Sequence, residues 1–459
     1  MNNILKLKIT GITSDGDGIA RSETHGVIFV SRALPGEIIT AKIFERHKDF
    51  TLAKIIEINQ AHPERVTPKC EHYYKCGGCQ LQHASYNLQL KLKSMIVKDA
   101  MTRLGGFDAN LFENLECVAS PKEFGYRNKA AFPVQAAQNL NHKNQKLVTG
   151  FYRAGTHRIE PVKNCPVNDD ALNKMYASIL GGLNDLNLDG YNEDDNTGKL
   201  RHIIMRTGKP RRAEIDTQQN LLSFVINGKL SAKSIKSLIA LGNKTKPDTI
   251  TINHNSRPGN TILGNHTESI TGKGIISEKL DKYTLNFDTT SFFQVNTLQA
   301  ENLFKYAASL VDGAKSILEL YSGVGSLTCY LADKSEHVTS IEEWRSAVKM
   351  AERNLKLNNL GDRVNALCGK SEELIQDLEL RNYDAVVLDP PRDGCNRAVL
   401  NAIKDMQINK IVYVSCNPAT LARDCKILAG FNYKLKSLRA FDMFPQTAHV
   451  ESVAMLERF

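Results

Sequence analysis

The sequence predicts an α/β protein: a small N-terminal β-barrel, a mixed, mainly β central domain, and a doubly wound C-terminal sheet. Three observations predict it. Short β-rich runs broken by turn residues fill residues 1–60, a cysteine cluster opens residues 61–288, and strands alternate with helical patterns across residues 289–459.

The barrel is read from Leu7–Thr10, Gly26–Val30, Glu37–Ile43 and Leu52–Ile56, with turns at Ser14–Gly18 and Pro35–Gly36. Runs of this length and spacing suit a five-stranded barrel of OB-like form. Lys42, Arg46, Lys48 and Lys54 make it basic, which suits a plain solvated surface or, the favoured reading, a clamp on RNA phosphates. In the central region Tyr86–Leu104 reads as a helix, and Phe124–Phe132, Leu147–Tyr152 and His202–Arg206 read as strands. Aromatic and basic residues interleave at Tyr126, Arg127, Lys129 and Phe132, a pattern equally suited to stacking on bases and to an amphipathic core strand. Asn192–Asn196 reads as an exposed turn. In the last region Ser316–Tyr321, His337–Ile341, Asp384–Asp389 and Lys410–Ser415 are strands, while 327–333 and 347–357 are helical. Ligands of such sheets bind outside the carboxyl ends of the strands.

Composition sets wide limits. The chain has 459 residues, 42% of them hydrophobic and 24% charged, as expected of a globular protein with several cores. No apolar run reaches membrane-spanning length and the N-terminus has no secretion signal, so a cytoplasmic location is expected. A single copy is the expected working unit. The net charge of +9 admits a polyanionic partner without requiring one.

Ten cysteines in a reducing compartment point to metal or catalysis before disulfides. Cys70, Cys76 and Cys79 form a C-x5-C-x2-C cluster, and Cys165 follows far downstream beside Pro166. Paired C-x2-C knuckles would indicate zinc, whereas unequal spacing with a remote ligand next to proline favours an iron–sulfur cluster over zinc or unconnected thiols. Cys117, Cys329, Cys368, Cys395 and Cys425 have no such company and are expected to be buried as small hydrophobes.

Cys416 is different because of what surrounds it. It lies in Tyr413-Val414-Ser415-Cys416-Asn417-Pro418, after Asp389-Pro390-Pro391-Arg392 and before His449-Val450-Glu451. Upstream, Leu320-Tyr321-Ser322-Gly323-Val324-Gly325 closes a strand with glycines that admit a ligand to the backbone, without the full G-x-G-x-x-G pyrophosphate cradle. That favours S-adenosylmethionine over a dinucleotide. Glu342, at the end of the second strand, suits a ribose diol.

These motifs resemble the RNA uracil-C5 methyltransferase family over nearly the whole chain. The likeness is to its larger branch, which carries an N-terminal TRAM barrel and a [4Fe-4S] cluster and acts on large-subunit (23S) ribosomal RNA. The resemblance implies that Cys70, Cys76, Cys79 and Cys165 hold the cluster. It implies that Gln294, in Ser291-Phe292-Phe293-Gln294-Val295-Asn296, binds S-adenosylmethionine together with Tyr321, Glu342 and Asp389. Cys416 would be the nucleophile and Glu451 the base. Ser322 departs from relatives that carry cysteine there, with no catalytic consequence.

The chemistry needs these residue types. Thiolate addition at carbon 6 of uracil turns carbon 5 into a nucleophile able to accept a methyl group, and a base must then remove the carbon 5 proton before the cysteine leaves. The target base must also leave its stack. Amino-group methyltransferases share Asp-Pro-Pro but follow it with an aromatic residue where this chain has Arg392. A transfer RNA substrate, and an RNA-binding redox sensor that keeps the fold without catalysis, are the remaining alternatives.

Overall fold

The computed structural model describes residues 3–137, 146–210, 218–378 and 382–459. They divide into two compact units that interleave along the chain: Met1–Tyr73, Gly78–Glu123 and Ile375–Phe459 form the first, Tyr74–Gly77 and Phe124–Leu374 the second.

The first unit begins with six strands, Ile4–Lys8, Gly11–Ile12, Gly18–Ser22, Gly26–Ser31, Ile38–Arg46 and Phe50–Gln60. Along Ile38–Arg46 the period-two alternation sends Ile39, Ala41 and Ile43 into a core with Leu7, Ile9, Ala20, Ile28 and Val30, while Lys42 and Phe44 face out. Gly18–Ser22 is an addition to the expected set. It is short and weakly apolar, and it begins on a glycine whose added Cβ would lie 2.7 Å from the Ala33 carbonyl oxygen. Fully buried Glu37 ties the barrel to the chain that leaves it. Its carboxylate accepts from the Leu34 and His62 backbone N–H groups at 2.9 and 3.1 Å, and from the Arg65 guanidinium at 2.6 Å.

Helix Tyr86–Arg103 follows, started by the Ser85 hydroxyl, which accepts from Leu88 N–H. Leu88, Leu92, Ile96, Val97 and Met101 form its buried stripe. The unit closes with a sheet in which Ala385–Leu388 and Lys410–Ser415 are parallel and Glu451–Arg458 and Tyr433–Phe441 turn antiparallel. Cys117–Val118 adds a short parallel edge.

The second unit contains a six-stranded sheet in the order His266–Thr271, Thr249–His254, Gln219–Ile226, Leu200–Gly208, Lys129–Ala136, Leu147–Thr149. Helices Asp170–Leu180 and Ala232–Asn243, absent from the strand-dominated reading of this region, contribute to its core through Leu172, Tyr176, Leu238 and Leu241. Phe132 is fully buried, stacked on Tyr176 at 3.9 Å, and Tyr126 is also buried. Of the two readings left open for the aromatics of that stretch, the core reading holds, because each ring gains more by leaving water for the core than by waiting for a base. Asn192–Asn196 is a turn, closed by a bridge between Asn192 and Thr197.

The same unit holds three parallel strands, Ser316–Leu320, His337–Glu342 and Val364–Cys368, with helices Ser326–Lys334 and Arg345–Leu357 between them. Cys117, Cys329, Cys395 and Cys425 are buried as expected; Cys368 is exposed. It ends the outer of the three strands, in which no residue is fully buried, so the small-hydrophobe reading fails for this one.

Candidate active site

In the first unit, three of the sequence-predicted residues gather at the end of one sheet. Lys410–Ser415 runs into Cys416, and Ser415 pairs with Ser452 on the antiparallel neighbour. Cys416 and Glu451 are therefore opposite each other where the ladder ends. Asp389 follows Ala385–Leu388, the parallel strand on the other side of Lys410–Ser415. A thiol and two carboxylates thus converge at one end of the sheet, Cys416 and Asp389 just past the carboxyl ends of their parallel strands and Glu451 at the amino end of its antiparallel one.

Their electrostatics follow from burial and proximity. Burial, with the Asp389 carboxylate adding to it and Arg392 opposing, pushes Glu451 up to about 8. Burial likewise pushes Asp389 up to about 7. The half-buried Cys416 thiol rises to about 11, first by desolvation and then by the charges of Glu451 and Asp389, with Arg392 pulling it down. At neutral pH this cysteine is held mainly as a thiol beside a largely protonated carboxyl. Perturbed groups so coupled are the signature of acid–base chemistry more than of a structural core.

The loops bearing these groups are tied together. Asn417 caps helix Pro418–Ala429 through its side-chain oxygen and donates from Nδ2 to the Arg392 carbonyl at 3.0 Å. The Thr420 hydroxyl donates to the same carbonyl at 3.2 Å. Buried Asp424 accepts from Cys395 N–H at 2.8 Å and from Arg423 Nε at 2.8 Å. On the other side, the segment entering Glu451 is held by helix Tyr86–Arg103. Buried Lys93 pairs with buried Asp442 and donates to the Phe444 carbonyl at 3.0 Å. Gln89 and Gln446 exchange hydrogen bonds of 3.0 and 2.9 Å.

In the second unit, Leu320 pairs with Ile341, so Tyr321 and Glu342 stand side by side at their strand ends. Tyr321 has a φ of 66°, Gly323 58° and Gly325 83°, a left-handed turn that glycine permits at little cost. The Glu342 carboxylate accepts from Gly323 N–H at 3.0 Å and from Trp344 N–H at 2.9 Å. It thereby ties the glycine turn to the strand beside it, and its oxygens keep further lone pairs. Gln294 is buried in a loop suspended from fully buried Arg206, which donates to the Ser291 and Phe293 carbonyls at 2.9 and 3.2 Å and lies 4.0 Å over the Phe287 ring. Asn128 N–H donates to Val295 O at 2.9 Å. Sequence reasoning passed over Arg206, Asn128, Asp424 and Lys93; for Arg206 the available signal was a charged residue directly after the apolar run Ile203–Met205 in strand Leu200–Gly208.

Of the four cluster cysteines, Cys70 and Cys79 belong to the first unit and Cys76 and Cys165 to the second, all half-buried. Burial raises the Cys165 thiol, with the nearby Val167 and Asn168 backbone N–H groups working the other way, and the Asn168 N–H donates to the Cys165 carbonyl at 3.1 Å.

Several known proteins are similar to this chain. The sequence pattern of the tRNA (Uracil-5-)-methyltransferase family matches residues 214–459, and that of the TRAM domain residues 2–56. A protein of Gloeobacter violaceus described as an uncharacterized RNA methyltransferase is 37% identical over 98% of this chain and 95% of its own length. One of Clostridium tetani with the same description is 34% identical over 99% of this chain and 96% of its own. Among solved structures, the tRNA (uracil-54, C5)-methyltransferase of Pyrococcus abyssi, in complex with S-adenosyl-L-homocysteine, matches with a TM-score of 0.75 and 28% identity, covering 98% of this chain and 100% of that one.

Proposed function

The chain belongs to the tRNA (uracil-5-)-methyltransferase family as a TRAM-containing RNA uracil-C5 methyltransferase using S-adenosylmethionine, and on that premise we propose that it methylates a uridine of 23S ribosomal RNA through a covalent Cys416 adduct. The observation that carries the mechanism is the convergence of Cys416, Glu451 and Asp389 at one sheet end.

Cys416 Sγ, as thiolate, adds to carbon 6 of the uracil, and the displaced electron pair makes carbon 5 nucleophilic. S-adenosylmethionine, when bound, supplies the electrophilic methyl group that carbon 5 takes up. Glu451 then removes the carbon 5 proton, the 5,6 double bond re-forms, and the carbon 6–sulfur bond breaks to return the thiolate. A carboxyl that titrates near 8 is well matched to a proton transfer at physiological pH. Arg392 favours the thiolate by its charge. Gln294, Tyr321, Glu342 and Asp389 would hold the methyl donor.

Cys70, Cys76, Cys79 and Cys165 would hold a [4Fe-4S] cluster, a reading supported by their spacing and by the resemblance to the cluster-bearing branch. The ribosomal target rests on the resemblance to the cluster-bearing TRAM branch. A transfer RNA target is the second reading, favoured by the similarity to the Pyrococcus abyssi enzyme. Mapping 5-methyluridine in both RNAs from cells lacking the protein decides between them. For the chemistry, Cys416→Ala should abolish methyl transfer and any covalent RNA complex, whereas Glu451→Gln should accumulate a methylated protein–RNA adduct. Turnover by Cys416→Ala at the normal rate would refute the adduct.

A further inference from the structure

Away from the catalytic groups, two neighbouring strands of the second unit bring two imidazoles and a carboxylate together. His254 ends Thr249–His254, His266 begins the edge strand His266–Thr271, and the two residues are direct cross-strand partners. Their rings stack at 5.5 Å with 26° between planes. Glu268 lies two residues along the edge strand, on the same face as His266. One donor atom from each of the three falls within 4.8 Å of the others.

The hydrogen bonding around His254 makes this arrangement informative. Its Nδ1 lies 3.4 Å from the Gly228 carbonyl and its Nε2 lies 2.9 Å from Glu268 Oε1. Both partners are acceptors, and a neutral imidazole has a single N–H to give. A neutral ring serves only one of the two as donor, which leaves a place for a cation shared with Glu268. A proton is one answer, but a second imidazole stacked alongside is poorly served by it. A divalent ion instead draws on the lone pairs of both rings and on the carboxylate at once. With Nδ1–H directed at the Gly228 carbonyl, the Nε2 lone pair points towards Glu268, which is how a carbonyl commonly orients a metal-bound histidine.

The hairpin that presents these groups is already rigid. Asn253 donates to Gly264 O at 2.9 Å and accepts from Gly264 N–H at 2.7 Å, and Asn255 donates to Thr261 O at 2.6 Å. An ion would therefore meet donors in place and pin an exposed edge strand to its neighbour.

We propose that His254, His266 and Glu268 form a binding site for a zinc-class divalent ion, with water completing its coordination, that fastens the edge of the six-stranded sheet. Two nitrogens and one carboxylate oxygen suit zinc, with cobalt as a spectroscopic substitute. The site is independent of the methyl-transfer reading.

The test compares the full-length protein with the His266→Ala/Glu268→Gln variant, prepared in parallel so that the cysteine thiolates contribute equally to both. Zinc titration should give one more equivalent in the parent protein, and zinc should raise its melting temperature more than the variant's. Cobalt in that additional equivalent should show ligand-field absorption without a thiolate charge-transfer band. His254→Gln should lose the same equivalent, while all three proteins melt alike without metal. Equal zinc stoichiometry and equal melting shifts in parent and variants would overturn the site and leave a stacked histidine pair held by hydrogen bonds alone. An extra cobalt equivalent bearing thiolate absorption would overturn it too.

Discussion

The Tyr413 phenol donates to the buried Asp424 carboxylate at 2.6 Å, joining the strand that delivers Cys416 to the helix that follows it. The same carboxylate oxygen accepts from Cys395 N–H, in the loop that begins with Asp389 and Arg392. One buried group thus sets two strand-end loops against each other. Asp424→Ala would orphan the Tyr413 hydroxyl and the Cys395 N–H, at about 1–3 kcal/mol for each group left unsatisfied. We expect a lower melting temperature and a methylation rate that falls further than RNA affinity does. Asp424→Asn, which keeps an acceptor, should recover part of both. Unchanged turnover in a well-folded Asp424→Ala protein would show that the loops hold their places without it.

The pH dependence has a definite sign. In the proposed mechanism Glu451 acts as a base only when ionised, and burial raises its titration to about 8. Cys416 attacks only as thiolate and titrates higher still, near 11. Both requirements make the rate climb as pH rises from about 6.5 to about 9 in single-turnover assays with saturating RNA. In Glu451→Gln the methylation step should keep a rising profile, while release of the adduct should be slow and without an inflection near 8. Arg392→Ala removes the charge that favours the thiolate, so alkylation of Cys416 by iodoacetamide, followed on its own peptide, should slow several-fold at about pH 8. A falling rate over this range would exclude Glu451 as the base.

Much of this was legible in the chain because local signals and tertiary context agree. Lys410–Ser415 is an apolar run bounded by polar strand ends, His337–Glu342 carries the β-branched Val338, Thr339 and Ile341, and the structure places both strands where the pattern did. The barrel alternation was equally plain. The groups that position the site were not, because their partners are remote: Lys93 and Asp442 are 349 residues apart, and Arg206 reaches carbonyls 85 and 87 residues away. A buried charge is written in the sequence as one polar letter, and only the fold supplies what satisfies it. Phe132 failed as a stacking platform for a related reason, since its partner Tyr176 lies on a helix whose pattern was overlooked.

The cysteine cluster makes a prediction through folding as well as colour. Protein purified without oxygen should be brown and hold iron and acid-labile sulfide in near-equal amounts. Cys165→Ser should lose both and melt at lower temperature, because a ligand bound by the native state alone stabilises it by mass action. Stoichiometric zinc in a colourless parent protein, removed by the same substitution, would replace the cluster with a structural zinc.

The barrel offers a quantitative test of RNA binding. Lys42 and Lys54 are directly opposed on antiparallel strands, an arrangement of like charges that costs stability unless a polyanion relieves it. Exposed Phe44 shares their face, with the Lys54 ammonium 4.7 Å from its ring centre. Arg46 follows on the same strand and is exposed. Positive charge beside an exposed aromatic is what a single-stranded RNA requires. Point substitutions are preferable to deleting the barrel, since Glu37 and Arg65 bind it to the rest of its unit. Lys42→Gln, Arg46→Gln and Lys54→Gln should each weaken RNA binding and lower the slope of log affinity against log salt by about 0.7 for every phosphate that is no longer neutralised. The triple variant should be additive in slope, keep its single-turnover methylation rate at saturating RNA, and melt no lower than the parent because the opposed lysines are gone. An unchanged slope in the triple variant would make this face a solvated surface and leave RNA capture to the second unit.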